Sequence, residues 1–524
     1  MSLQGASIVG LDCERGAGVE AFPLNPTTGE RLEPGYPAVT EELTQAAVAK
    51  AAAAFPVYRK LSGAERAGFL RAIADKIEAS GDALATRGPE ETGLPEGRIR
   101  METGRTCNQL RLFAALIEEG SWVDARIDKA QPDRQPIPKP DVRSMLQPLG
   151  PVAVFCASNF PLAFSVAGGD TASALAAGCP VIVKAHHSHL GVAEIVGLAV
   201  QAAAKETGMP DGVFSLLYGS GRTVGAELVQ HPDIRAVGFT GSHAGGRALM
   251  DLAAARPQPI PVYAEMGSLN PVFVLPGAMS DRWESIAEGL SGSVTMGVGQ
   301  FCTSPGLVVA DDNDATSHFA DQLALRQREA SPAVMLNETI HTAYQKGTEA
   351  LDQHAGVKAL AAASAQKGCL GDPALYVAKA DDFIGDETLA NEVFGPSTLL
   401  VTHDKREQLL QLASQLDGHL TATVHATDAD LAGYGDLLDI LETKVGRLII
   451  NGYPTGVEVC HAMVHGGPYP ATSDGRSTSV GTQAIFRFAR ALAYQGFPNA
   501  QLPAALQDDN SLGIWRMVDG ERLT

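Results

Sequence analysis

The sequence predicts an α/β protein made of two parallel-sheet units and an extended arm. Three observations carry this expectation: the length, the alternation of short apolar strands with helices from Val152 onwards, and a proline-rich break before it. At 524 residues the chain is longer than one hydrophobic core supports, so two or three domains are expected. Strands separated by helices at this spacing give βαβ units. These imply a parallel sheet with ligands at the carboxyl ends of its strands.

The elements follow in order. Between Glu41 and Leu116, LTQAAVAKAAAAFPVYRKL and GAERAGFLRAIADKIEASGDAL repeat apolar residues at helical spacing. The run from Ile127 to Arg143 holds four prolines and no apolar period, so it reads as a connector or an exposed extended arm. PVAVFCAS is then a strand, GDTASALAAG a helix, and CPVIVKA a second strand. GVAEIVGLAVQAAAKETG is a helix ended by Gly208 and Pro210, while VFSLLYGSG and AVGFTGS are strands running into glycine turns. PVYAEMGSLNPVFVL reads as two strands around a tight turn. A second α/β stretch covers residues 267–460 and includes the strand KVGRLIINGYP. Beyond Thr478 no element is assigned. Residues 1–126 and 146–266 are expected to form one domain and 267–477 a second. Residues 127–145 and 478–524 supply the arm and a C-terminal segment.

Composition excludes several classes. No window approaches the ~18 consecutive apolar residues of a membrane span, so no membrane partner is expected. The opening MSLQGASIVGLDCERG lacks the basic start and apolar core of a secretory signal. Seven scattered cysteines without CxxC spacing suit a reducing, cytoplasmic compartment. A formal net charge of −20 argues against a nucleic-acid partner, which requires a basic surface.

Three segments carry chemistry. In GQFCTSPG, Cys302 lies among glycines and small residues, as an accessible thiol requires, although a lone cysteine is more often buried and inert. In YAEMGSLNP, Glu265 leaves an apolar strand. Desolvation there is expected to raise its pKa towards neutrality, as a general base needs; the bland alternative is a turn-capping glutamate. In ASNFPLAF, Asn159 ends a strand, where its amide donates either to a developing oxyanion or within an Asx turn. No metal is expected. His186, His187 and His189 would alternate faces on an extended strand, and Gly466-Gly467-Pro468 interrupts any helix joining Cys460, His461 and His465.

Taken together, GFTGS (238–242), AEMGSLNP, GQFCTSPG, NEVFGP (391–396) and the strand ending at Asn451 resemble the aldehyde dehydrogenase superfamily in order and spacing. The resemblance implies an aldehyde dehydrogenase-like fold, with a Rossmann-type NAD(P)-binding domain, a catalytic domain and an oligomerisation arm. It implies Cys302 as nucleophile, Glu265 as activator of the hydrolytic water, and Asn159 with the Cys302 N–H as oxyanion donors. Lys184, Glu392 and Phe394 match the family's cofactor positions. Gly241, Ser242 and Gly246 would let the backbone approach the pyrophosphate at a helix N-terminus. GSGRTVG at 219–225 fits GxGxxG, but a lone match of that kind is weak.

The resemblance also bears on cofactor and substrate. NAD-preferring relatives usually carry a glutamate where this chain has His187. Its absence removes a charge that would repel a 2′-phosphate, and Arg222 supplies a contact to that phosphate. NADP is therefore expected in preference to NAD, as in the NADP-preferring bacterial fatty-aldehyde dehydrogenases that the chain also resembles. Longer phrases, including RPQPIPVYAEMGSLNPVF and NGYPTGVEVCHAMVHGGPYPATSDGRSTSVGT, resemble the group that oxidises α-ketoglutarate semialdehyde (2,5-dioxovalerate). A small aldehyde bearing a carboxylate needs a cation in its tunnel, for which Arg105 is the candidate, with Phe160 and Phe164 as apolar walls. The alternatives are a fatty-aldehyde dehydrogenase with an apolar tunnel, which Phe113 would also serve, and a non-catalytic binding protein on the same scaffold. A CoA-dependent acylating enzyme is disfavoured by Glu265. The proline-rich arm implies a homodimer or homotetramer.

Overall fold

A computed structural model describes residues 3–364 and 368–524. Its first sheet has five parallel strands in the order Val262–Glu265, Ala236–Thr240, Val152–Phe155, Val181–Lys184 and Phe214–Leu217. Ser7–Val9 adds antiparallel to Phe214–Leu217, and Asp12–Glu14 extends that edge. Strand residues alternate between two apolar clusters, as a pleated strand buried on both faces must. Val152 and Val154 pack with Phe69 and Leu70 beneath the helices, while Ala153, Phe155 and Ile182 pack with Val48 and Leu249 on the other face. Truncating Leu70 to alanine removes about 2–5 kcal/mol of this packing.

The winding places the site. After Val152–Phe155 the chain builds outwards through two strands, then returns to lay Ala236–Thr240 on the opposite side of that first strand. The strand order reverses there, and a crevice opens at the carboxyl ends. ASNFPLAF leaves one lip of it and GFTGS the other.

The second sheet is also parallel apart from one edge, in the order Val357–Ala361, Ala374–Lys379, Ser397–His403, Leu307–Asp311, Val272–Val274, His419–His425 and Val445–Ile450. Two expectations need correction. Val262–Glu265 and Val272–Val274 are not partners around a turn: they belong to different sheets, and residues 266–271 cross between them. Val262–Glu265 is the edge strand of the first sheet, whereas Val272–Val274 lies inside the second. The histidines at 186, 187 and 189 do not alternate faces either. They follow the strand that ends at Lys184, and the His186 ring lies 4.3 Å from that of His187 and 5.5 Å from that of His189.

The unassigned tail forms part of a third sheet. Ala489–Gln495 pairs antiparallel with Val142–Pro148 along its full length, and Arg126–Asp128, Arg516–Val518 and Glu521–Leu523 complete five strands. The proline-rich run is the loop between Arg126–Asp128 and Val142–Pro148. No helix among the described residues is long and apolar enough to cross a membrane.

Candidate active site

Cys302 sits on a loop that enters the crevice from the second sheet. Gly297, Val298 and Gly299 all have φ between 56° and 64°, a left-handed run that reverses the chain after the helix Pro276–Thr295. A Cβ on Gly299 would lie 2.1 Å from the Gly395 carbonyl, so this position must be glycine for the loop to seat. Asn270, itself at φ 49°, donates its amide to the carbonyls of Cys302 and Ser304, both at 2.9 Å. This holder of the nucleophile loop went unnoticed in the sequence, although it stands inside the AEMGSLNP motif. The Cys302 N–H donates to no group among the described residues.

Asn159 is buried on the opposite lip, and its amide donates to the Gln300 carbonyl at 3.0 Å. The turn carrying it is held from below by Glu102, whose carboxylate accepts from the N–H groups of Leu162 and Ala163, both at 2.9 Å. The Asn159 amide thereby ties its turn to the loop two residues before Cys302.

Glu265 ends its strand fully enclosed, and His465 comes to it from a loop without regular structure. The His465 Nε2 lies 2.9 Å from Glu265 Oε1 and 3.4 Å from Cys302 Sγ, while the Ser479 hydroxyl donates to Glu265 Oε2. The three groups lie within 4.8 Å of one another. Burial pushes the Glu265 carboxyl up, but the His465 imidazole and the hydrogen bonds from His465 and Ser479 outweigh it. The group ends below the ordinary carboxylate range. The expected rise towards neutrality is therefore corrected: the site is dry, yet hydrogen-bonded to the charged form. Burial and the Glu265 charge push the Cys302 thiol well up. His465 was dismissed as a metal ligand and missed as a catalytic neighbour. Only its histidine type hinted at it, since it lies 163 residues from Cys302.

A cavity of about 380 Å³ opens at Cys302, walled by Phe160, Phe164, Phe301, Arg98 and Arg105. Phe160 packs edge-on against both Phe164 and Phe301, with ring centroids 5.2 and 5.3 Å away. Arg105 rises from the helix Glu96–Glu119, donates Nη1 to the Val457 carbonyl at 2.7 Å, and leaves Nε and Nη2 buried without a partner. Phe113 does not line this cavity: it points into the core beneath the first sheet.

Of the remaining residues only Glu392 lines a larger cleft of about 700 Å³, together with Gly267, Ser268, His243 and Tyr469. Lys184 is buried with no hydrogen bond or ion pair among the described residues. Glu392 stands in the cleft, exposed and close to Gly267. Phe394 follows it, half-buried. Gly241 and Ser242 are exposed before the helix His243–Ala254, and the Ser242 hydroxyl caps that helix by accepting from the Gly245 N–H at 3.2 Å. Gly246 corrects an expectation. It is buried, a Cβ there would meet Met266 Sδ at 2.6 Å, and so it seats the helix on the sheet rather than opening backbone to a ligand. His187 and Arg222 are both exposed, and Arg222 makes no ion pair among the described residues.

A two-sheet crevice with a loop-borne cysteine, an amide donor and a buried carboxylate defines an enzyme of thiol-based acyl chemistry. The family model "Aldehyde dehydrogenase family" matches residues 20–469. The chain is 49% identical to alpha-ketoglutaric semialdehyde dehydrogenase 2 of Azospirillum brasilense, over 99% of this chain and all of the relative. It is 47% identical to an alpha-ketoglutaric semialdehyde dehydrogenase of Acinetobacter baylyi, over 92% of each. In fold it is similar to betaine aldehyde dehydrogenase of Staphylococcus aureus in complex with NAD+, with a TM-score of 0.81 at 20% identity over 95% of this chain and 96% of that one. The chain belongs to the aldehyde dehydrogenase family: its reaction is the NAD(P)-dependent oxidation of an aldehyde to a carboxylic acid.

Proposed function

We propose that this enzyme oxidises α-ketoglutarate semialdehyde to 2-oxoglutarate, with NADP preferred over NAD, through a thioester on Cys302. The observation that carries the reading is Arg105: its guanidinium lines the aromatic cavity that also holds Cys302, with Nε and Nη2 buried and unpaired. A cation left so needs an anion, and a substrate carboxylate supplies it. A fatty aldehyde would leave that cost uncompensated. The names of the two bacterial relatives point to the same substrate.

The residues divide the work. The Cys302 thiol gives up its proton to solvent, and the thiolate Sγ adds to the aldehyde carbon while the Asn159 amide and the Cys302 N–H receive the oxyanion. With its proton on Nε2, His465 faces both Sγ and Glu265 Oε1, steadying the thiolate and the carboxylate in turn. Glu265 takes a proton from the water that hydrolyses the thioester, releasing the acid and restoring the thiol. The cofactor's fit rests on buried, unpartnered Lys184 and on the exposed amides before His243–Ala254, an anion site by geometry. When bound, NAD(P)+ would supply the hydride acceptor. Lys184 and Glu392 would hold its ribose hydroxyls, Ser242 and Gly241 its pyrophosphate, and Phe394 would flank the nicotinamide end. Exposed Arg222, with His187 in place of an acid, favours the 2′-phosphate.

The first sheet with its helices serves as the cofactor domain, the second as the catalytic domain, and the third as the arm. The rim strand Ala489–Gln495 leaves one edge of the third sheet open, which favours at least a dimer. All seven cysteines are free thiols, in keeping with a cytoplasmic enzyme. A panel of aldehydes with each dinucleotide tests the reading. The highest kcat/KM is expected for α-ketoglutarate semialdehyde with NADP, and a preference for long-chain fatty aldehydes overturns it.

A further inference from the structure

Arg98 lies two turns before Arg105 on the same face of the helix, and it too lines the cavity at Cys302. Its guanidinium packs against both of two touching rings, 4.6 Å from the Phe160 centroid and 4.8 Å from that of Phe301. These rings are the chain neighbours of Asn159 and Cys302. Its Nη2 donates to the Asn159 carbonyl at 3.4 Å, and its Nε lies 3.4 Å from Glu102 Oε2. The Asn159 amide in turn donates to the Gln300 carbonyl, two residues before Cys302. A ring of contacts therefore closes from Arg98 to the Asn159 turn, to the Cys302 loop, and through Phe301 back to Arg98.

We propose that Arg98 is a positioning residue that locks the oxyanion amide of Asn159 to the Cys302 loop, with Glu102 as its fixed counter-charge. The two loops come from different sheets, so no backbone ladder sets their spacing; the Asn159–Gln300 hydrogen bond and one planar cation packed against both aromatic residues do. Glu102 serves both sides at once. One carboxylate oxygen holds the Asn159 turn through Leu162 and Ala163, and the other faces Arg98. Burial pushes the Glu102 carboxyl up, and the Arg98 guanidinium is the leading influence opposing that rise. Glu102 faces Arg98, while Arg105 in the same cavity wall keeps two guanidinium donors without a hydrogen-bond partner. A lysine cannot reproduce the arrangement, having neither the planar stacking face nor two directed donors.

This inference rests on Cys302 as nucleophile, and the test separates the two. Arg98→Met keeps an apolar stem against the rings and removes the charge and both donors. It is expected to lower kcat by about ten- to a hundredfold, because small misplacements of reacting groups cost that much, while KM changes less than about twofold. The loss should be equal for anionic and neutral aldehydes. Arg98→Lys should rescue little. Arg98→Ala should regain part of its kcat when millimolar guanidinium chloride is added, and the wild type should not respond. A KM rise confined to anionic aldehydes makes Arg98 a substrate ligand and overturns the proposal, as does a normal kcat in Arg98→Met. Failure of all three variants to fold overturns it too, since Arg98 would then serve the fold itself. Wild-type enzyme that forms no acyl adduct on Cys302 instead removes the nucleophile reading, whatever the Arg98 variants do.

Discussion

The two approaches to Cys302 are built on different physical principles. The cavity at Cys302 is aromatic and cross-linked: each ring touches another ring or a guanidinium, and the Arg105 Nε and Nη2 in its wall are buried without a partner. On the dinucleotide side the arrangement is open, with Gly241, Ser242, His187 and Arg222 all exposed. Selectivity on the first side comes from leaving a buried charge with or without a partner, which is costly. On the second it comes from a charge in water, which solvent and salt weaken. Aldehyde specificity should therefore be steep and dinucleotide specificity shallow.

The largest expected effect lies where the two sides meet. Cys302→Ser should reduce turnover by roughly a thousandfold or more and leave NADP binding near normal, as measured by steady-state kinetics and fluorescence titration. Full activity in the serine variant would remove the common centre on which the comparison depends.

Next comes Glu265. Glu265→Gln should lower steady turnover by about a hundredfold while a burst of NADPH persists, since hydride transfer precedes hydrolysis. The sign of its charge adds a second readout. An ionised Glu265 pushes the Cys302 thiol up, so removing that charge should bring the thiol down. Iodoacetamide should then alkylate Cys302 faster at neutral pH in the variant, with the rate rising at lower pH than in the wild type. Slower alkylation would mean that Glu265 instead draws the proton from the resting thiol. Because Glu265 itself is held low, the hydrolytic step should persist as pH falls towards the ordinary carboxylate value and fail only below it.

Arg105→Leu probes the aromatic side. It should reduce kcat/KM for the carboxylate-bearing semialdehyde about ten- to a hundredfold more than for a neutral aldehyde of similar length. An equal loss for both would make the arginine a brace for Val457 and bring back the fatty-aldehyde alternative. Arg222→Ala, the smallest effect, should weaken NADP by about three- to tenfold and leave NAD unchanged, and the difference should shrink at high salt. A hundredfold effect there would abolish the contrast between the two sides.

What the sequence disclosed follows the same contrast between local and distant. The strands from Val152 to Glu265 were legible because each is a short apolar run bounded by glycine or proline. Cys302, Glu265 and Asn159 stood in recognisable local phrases. His465, Arg98 and the pairing of Ala489–Gln495 with Val142–Pro148 were not, because their meaning depends on partners tens to hundreds of residues away. Arg98 and Arg105 looked alike among the arginines of one helix. Only the turn beneath Asn159 distinguishes them. Gly246 was misread because a packing glycine and a ligand glycine leave the same mark in a sequence. The Glu265 carboxyl was misread because burial was visible as an apolar strand while the hydrogen bonds that offset it were not.

Residues 266–271 carry a last consequence. This short crossing is the seam between the two halves, and each half brings an incomplete set of tools: Glu265 and Asn159 ride on one, Cys302 on the other. Neither half alone is a reduced enzyme; it is no enzyme. Turnover therefore reports the docking of the halves as directly as it reports chemistry. A polypeptide nicked at the seam, or a folding intermediate with one half formed, carries no exposed reactive set. The chain is silent until it is whole.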